Sequence, residues 1–260
     1  MLILLSFILG LFIGSFLLVV IYRLPLNEQF ITGRSRCDYC HKFLCWYDLI
    51  PVLSYFLTSG KCRYCHKQIS IIYPFFELLS GILFSLTLFL LFPLSIVSII
   101  FYFFMTSILL VIFFIDLFYQ IIPFKIVIPS ILFVWLYNLL YSPILSLNYL
   151  FAALSAGLFF FILFTLTRGK GMGFGDVIFA FFMGSLLGFP RIIIALYIAF
   201  IVGALVGIIY VVAKRKKIHG TAIPFGPFLA IGTYIGIILP MPFINLIFYY
   251  FHLNYLFSML

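Results

Sequence analysis

Six acidic residues occur among 260, and three of them stand where a carboxylate is costly. Glu77, Asp116 and Asp176 lie within or at the end of long apolar runs. In such runs an ionisable group is expensive and marks a functional position. Asp116 closes one run in "FFIDLFYQIIPFK", and Asp176 opens another behind Gly173 and Gly175 in "GMGFGDVIF". The remaining three, Glu28, Asp38 and Asp48, fall in a polar stretch where carboxylates are ordinarily solvated. That stretch also holds all five cysteines, with Cys37-x2-Cys40 and Cys62-x2-Cys65 separated by 21 residues.

Each kind of residue suggests a chemistry. Two carboxylates sharing one site cannot easily both ionise, so the pair carries one proton near neutral pH. The ionised member can take a proton from water while the protonated one donates to a carbonyl oxygen, as in aspartic proteases. Gly173 and Gly175 would let a substrate strand approach beside Asp176 without side-chain obstruction. The plainer alternative is that each aspartate caps a helix or pairs with a basic residue such as Lys125 or Lys170. Two C-x2-C pairs at this spacing suit a structural zinc site, with a thiolate tetrahedron completed by Cys37, Cys40, Cys62 and Cys65. Two disulfides or free thiols are the alternative. His41 and His66 read as ordinary polar residues beside a filled shell, and Cys45 as packing. With four protein ligands the metal would staple the loop and leave no open position for water.

The elements that must position these groups are membrane helices. Hydrophobic residues make up 66% of the chain and charged ones 8%, against about 25% charged in a soluble domain. Apolar runs fall at about 2–22, 74–92, 94–115, 126–142, 149–167, 177–190, 191–213 and 226–250, most of a length suited to spans of about 20 residues, although the sixth is short and Pro240 interrupts the eighth. The expected fold is therefore all-α: a polytopic membrane bundle of about eight transmembrane helices with a small cytoplasmic zinc-binding loop. Its organisation reads as a first helix at 1–22, a four-cysteine loop at 23–73 and a membrane-embedded bundle at 74–260. Residues 2–22 lack a preceding basic residue and a small-residue cleavage site, so they read as a retained helix. Fourteen of the fifteen Lys and Arg residues fall on alternate loops, with Arg191 the exception. The positive-inside rule then places the N-terminus outside and the loops at 23–73, 116–125, 168–176 and 214–225 in the cytoplasm. The formal net charge of +9 is this topology signal and calls for no nucleic acid; anionic lipid is its natural counterpart. With the third run heading inward and the sixth outward, Asp116 and Asp176 reach the same cytoplasmic membrane edge. Gly10/Gly14, Gly184/Gly188, Gly203/Gly207 and Gly232/Gly236 have the spacing that lets helices approach closely. No internal repeat is evident.

Taken together, "GSFLLVVIYRLP" (14–25), the double C-x2-C loop with "LIPVLSY" (49–55), "IIYPFFELLSG" (71–81), "FIDLFYQIIP" (114–123), "GMGFGD" (171–176) and "IPFGPFLAIG" (223–232) resemble the type IV prepilin peptidases of bacterial inner membranes. The resemblance implies that Asp116 and Asp176 are the catalytic pair. It also implies that the substrate is a prepilin or pseudopilin whose basic leader is cut after a glycine. In many such proteins S-adenosylmethionine then methylates the new N-terminus, an activity associated with the N-terminal half. Glu77, on the family's "YPxxEL" stretch, either helps bind that methyl donor or caps its helix. Leu18, Phe124 and Ile178 depart from the residues common in the family, which bears on substrate preference and methylation. Two other functions fit parts of the pattern: a proton-coupled transporter using Asp116 and Asp176 as a relay, and a non-enzymatic scaffold built on the zinc loop. The relay would need sites at or across the midplane.

Overall fold

A computed structural model describes residues 1–29, 35–37, 39–169, 171–214, 224–240 and 242–244. Asp38, Lys170, most of the basic cluster at 214–217 and the end of the eighth run at 245–250 lie outside the described residues. Nine α-helices are present among those described: α1 Leu2–Arg23, α2 Leu53–Leu57, α3 Ile72–Leu91, α4 Ile96–Tyr119, α5 Phe124–Tyr141, α6 Ser146–Leu166, α7 Phe174–Leu187, α8 Arg191–Lys214 and α9 Gly226–Ile238. No strand occurs among them; two isolated bridges, Arg36 with Phe43 and Lys61 with Gln68, are the only extended pairings described.

The protein is an all-α integral membrane protein. Six helices, α1, α3, α4, α5, α6 and α8, are long and apolar enough to cross a bilayer. The other two apolar helices, α7 and α9, have 14 and 13 residues. At 1.5 Å per residue each reaches only about 20 Å of a core about 30 Å thick. The eight apolar runs thus become six helices of spanning length and two short ones. The sixth run is short in the sequence as well, and Gly188, at φ 65°, ends α7 just before Pro190; α9 stops just before Pro240, the proline that interrupts the eighth run.

The chain forms two compact units, Met1–Val111 and Ile112–Leu260. In the first, α1 packs on α3 along a seam of small residues. Ser80 Oγ donates to the Gly10 carbonyl at 2.5 Å, and a β-carbon at Gly14 would collide with Ser80 Oγ. Lipid tails are as apolar as leucine, so it is close backbone approach and this buried hydrogen bond that hold the pair. Leu18, Ile21, Phe76 and Phe84 fill the space around the seam and are wholly buried.

In the second unit α7 is central, touching α5, α6, α8 and α9. Ten of its fourteen residues are buried, which accounts for a helix that is apolar on every face. A β-carbon at Gly184 would strike the Ala152 carbonyl of α6, and one at Gly232 of α9 would strike the Ala195 carbonyl of α8. Polar side chains bind backbone across helices: Asn138 Nδ2 donates to Ser185 O at 3.0 Å. Asn148 both donates to Phe189 O and accepts from Phe189 N, clamping the turn between α7 and α8. The outcome is that α7, which begins just after Gly173, is packed over most of its surface and its far end is tied to α5 and α6.

Candidate active site and metal centre

Asp116 sits in the last turn of α4 and Asp176 in the first turn of α7, both in the second unit. They are 5% and 7% exposed, well below what an unpaired surface carboxylate shows. Asp116 Oδ2 accepts from the Gly226 backbone N–H at 2.8 Å, at the N-terminus of α9. Asp176 Oδ2 accepts from Gly173 N at 3.1 Å, at the N-terminus of its own helix. Helix N-termini present unpaired N–H groups and positive dipole ends that suit carboxylates. Each aspartate therefore does cap a helix, but the same arrangement brings the two carboxylates within electrostatic reach of each other.

The neighbouring glycines differ. A β-carbon at Gly226 would fall 2.5 Å from Asp116 Oδ2, so only glycine lets the carboxylate reach that amide. Gly226 belongs to the quoted "IPFGPFLAIG" stretch, yet its role emerges only in the structure; the signal for it in sequence is a glycine at a helix start followed by Pro227. A β-carbon at Gly175 would lie 2.9 Å from Ile122 Cβ, whereas one at Gly173 would meet nothing nearer than 3.7 Å. Gly175 is thus a packing position against the segment after α4, and Gly173 faces space beside Asp176. Ile178 lines an open apolar groove of about 420 Å³ between α6 and α7.

In the first unit the sulfurs of Cys37, Cys40, Cys62 and Cys65 lie within 4.8 Å of one another. All five cysteines are unbridged. The Cys37 and Cys65 sulfurs are 3.8 Å apart, matching the edge of about 3.8 Å for a tetrahedron with zinc–sulfur bonds of about 2.3 Å. The Lys67 backbone N–H favours the Cys65 thiolate, but desolvation and the sulfurs of Cys62, Cys40 and Cys37 outweigh it and push the thiol up to about 11. A divalent cation would reverse that balance, so the donor set fits zinc.

The two knuckles are built alike. Cys37 N donates to Lys42 O and His41 N to Cys37 O; Cys62 N donates to Lys67 O and His66 N to Cys62 O. His41 and His66 both adopt positive φ, 55° and 59°, a conformation for which histidine is enriched. The matching "CDYCHK" and "CRYCHK" form a short internal repeat, which corrects the expectation of none. Asp48 is also not a solvated carboxylate. Its side chain is 8% exposed and accepts from Arg63 Nε at 2.8 Å, Tyr64 OH at 3.1 Å and Cys45 N at 3.2 Å. The bond to Cys45, then burial, then the bond to Asp48 raise the Tyr64 phenol above its ordinary range, so it remains a donor. Asp48 thus ties the chain after the first knuckle to the second, and Cys45 belongs to this network rather than to the sulfur cluster.

Glu77, in the second turn of α3, is 7% exposed and accepts from the Val52 backbone N–H at 2.7 Å. Its Cα packs closely against Gly14 of α1. Leu18 is fully buried and Phe124 is exposed at the start of α5.

Two family models match the chain: Bacterial Peptidase A24 N-terminal domain over residues 8–91 and Type IV leader peptidase family over residues 103–208. Among curated proteins, "Prepilin leader peptidase/N-methyltransferase" of Bacillus subtilis is 33% identical over 235 residues, covering 87% of this chain and 90% of that protein. The protein of the same name from Myxococcus xanthus is 32% identical, covering 81% of this chain and 63% of its own length. That from Pseudomonas putida is 31% identical, covering 90% and 89%. No solved structure gives a significant match. Identity at this level along nearly the whole length, joined to a buried aspartate pair and a four-cysteine loop, means that the chain belongs to the type IV leader peptidase family.

Proposed function

We propose that this protein is an aspartic endopeptidase of the bacterial inner membrane. It removes the basic leader of type IV prepilins or pseudopilins after a glycine and then N-methylates the new N-terminus. The observation that supports the reading is that Asp116 at the end of α4 and Asp176 at the start of α7, both in the second unit, are buried and each is held by a backbone amide at a helix N-terminus. One carboxylate takes a proton from water, which attacks the scissile carbonyl carbon. The other donates a hydrogen bond to the carbonyl oxygen, then passes its proton to the leaving amine. Gly226 N–H orients Asp116, and Gly173 N–H orients Asp176. Gly173 leaves the room a substrate strand needs.

Both acids lie at helix ends, as cleavage at the membrane edge requires, whereas a transport relay would place acids at or across the midplane. The charge pattern supports a cytoplasmic site with the N-terminus outside. A structural zinc held by Cys37, Cys40, Cys62 and Cys65 fixes the loop of the first unit. The names of the relatives support S-adenosylmethionine as the methyl donor of the second activity. The purified protein in liposomes, given a prepilin-like substrate, tests the reading: Asp116→Asn and Asp176→Asn should each lower cleavage by at least about a thousandfold. Persistent cleavage by either folded variant would refute the dyad.

A further inference from the structure

Between the two knuckles the chain makes an unusual turn. Leu53 N–H donates to Pro51 O at 2.6 Å, and Val52 between them has φ 63° and ψ −51°. This is a γ-turn of the positive-φ hand, which is rare and strained. A β-branched residue is the least suited to it. The Val52 N–H, left outside the turn's own hydrogen bond, points to Glu77 and donates to Oε2 at 2.7 Å. Glu77 itself lies against α1: its Cα is 3.3 Å from where a β-carbon at Gly14 would stand. One turn further along α3, Ser80 locks that helix to α1 through the Gly10 carbonyl. Glu77 therefore joins three segments of the first unit: α1, α3 and the chain entering α2, which leads on to Cys62. Its carboxylate accepts from the protein itself, and no cation lies beside it among the described residues.

We propose that Glu77 is a positioning residue whose carboxylate holds the strained Val52 turn against the α1–α3 seam. In this way it fixes residues 50–57 for the methyl transfer of the first unit, rather than holding the methyl donor. The inference rests on the reading that this unit carries that second activity. Strain stored at one residue persists only where its surroundings over-determine it, and a buried, charge-assisted hydrogen bond to the turn's outward amide does so.

Full-length protein in nanodiscs tests this with four variants: Glu77→Gln, Glu77→Ala, Val52→Gly, and Glu77→Ala combined with Val52→Gly. Amide exchange over residues 50–57 should quicken by about tenfold or more in Glu77→Ala, the scale expected when a buried charge-assisted bond is lost. Methyl transfer to a free-N-terminal pilin-like peptide should fall by a similar factor in kcat, with KM for S-adenosylmethionine unchanged. Glu77→Gln, which keeps an acceptor for the Val52 amide, should retain most of both. Adding Val52→Gly to Glu77→Ala should restore both to within about threefold, because glycine populates positive φ without support. A donor ligand would behave otherwise: Glu77→Gln would be as damaging as Glu77→Ala, KM would rise, exchange would stay as in wild type, and glycine would rescue nothing. Any of these results overturns the proposal. Absence of methyl transfer in the wild-type protein would instead count against the second activity, and the exchange arm with its glycine rescue would still decide the role of Glu77.

Discussion

Asp116 depends on a glycine 110 residues away, because the amide it accepts from carries no side chain. Adding one methyl at Gly226 places carbon 2.5 Å from the carboxylate oxygen, so either the carboxylate or the start of α9 must shift. Gly226→Ala should therefore lower cleavage by about a hundredfold, since even about 1 Å of misplacement in a catalytic constellation has that scale of effect. Circular dichroism should meanwhile show helical content intact. The two glycines before Asp176 separate two effects. Gly175→Val drives side chain into Ile122 and should lower the thermal midpoint of the protein. At Gly173 a β-carbon meets nothing nearer than Asp176 Oδ2 at 3.7 Å, an ordinary contact, so Gly173→Val should leave the midpoint alone and raise KM for the prepilin. If Gly173→Val cleaves with wild-type KM, the space beside Asp176 is not where the substrate strand lies. In a double variant, Asp116→Asn with Asp176→Asn should lose no more activity than either alone, because the acids act as one unit.

At the scale of elements, the knuckles and the buried short helices set what could be read in advance. Apolar periodicity gives α1, α3, α4, α5, α6 and α8 almost to their ends, because a spanning helix needs a run of fixed length and composition. It places α7 three residues late at both ends, since Gly188 stops that helix and Gly173 starts it, and it carries the last run past Pro240, before which α9 ends. The sulfur cluster is equally legible, since two C-x2-C pairs need only local turns to assemble. Asp48 is not, because its partners Arg63 and Tyr64 lie 15 and 16 residues on and meet it only after both knuckles form. Glu77 likewise shows its partner Val52 only once α3 and the loop are folded together. This link between knuckles has a measurable effect. Purified protein should hold one zinc per chain, and Cys45→Ser should keep it. Asp48→Ala should release the metal at least about tenfold faster to a chelator, because hydrogen bonds one step removed from the ligands tune affinity on that scale. Zinc loss should also accelerate as the pH falls, since the ligands must be thiolates. Metal analysis across a pH series decides both points, and an Asp48→Ala protein with wild-type release would leave the Arg63–Asp48–Tyr64 network without a part in holding the metal.

For the whole molecule, the charge distribution and the helix ends make a joint claim about where the substrate is cut. Fourteen of the fifteen basic side chains fall on alternate loops, and reporter fusions at the N-terminus and in the loop at 168–176 should score outside and cytoplasmic respectively. Asp116 and Asp176 belong to helix ends rather than helix middles, so the scissile bond has to stand at one depth. A prepilin's apolar helix keeps its own amides bonded in lipid, so only the stretch just beyond it can be extended for water to reach the carbonyl. Depth is then a property that the substrate can be made to violate. Four extra residues between the cut site and the apolar helix displace the bond by about 6 Å if they continue the helix. Such a substrate should be cut far more slowly than the parent, while four residues added to the leader on the other side of the bond should be tolerated. Flexible glycine-serine inserts at the first position should be less harmful than alanine inserts, because they can loop back to the aspartates. Cleavage rates in liposomes that ignored both the position and the stiffness of the insert would mean that the dyad meets its substrate in water, away from the bilayer edge.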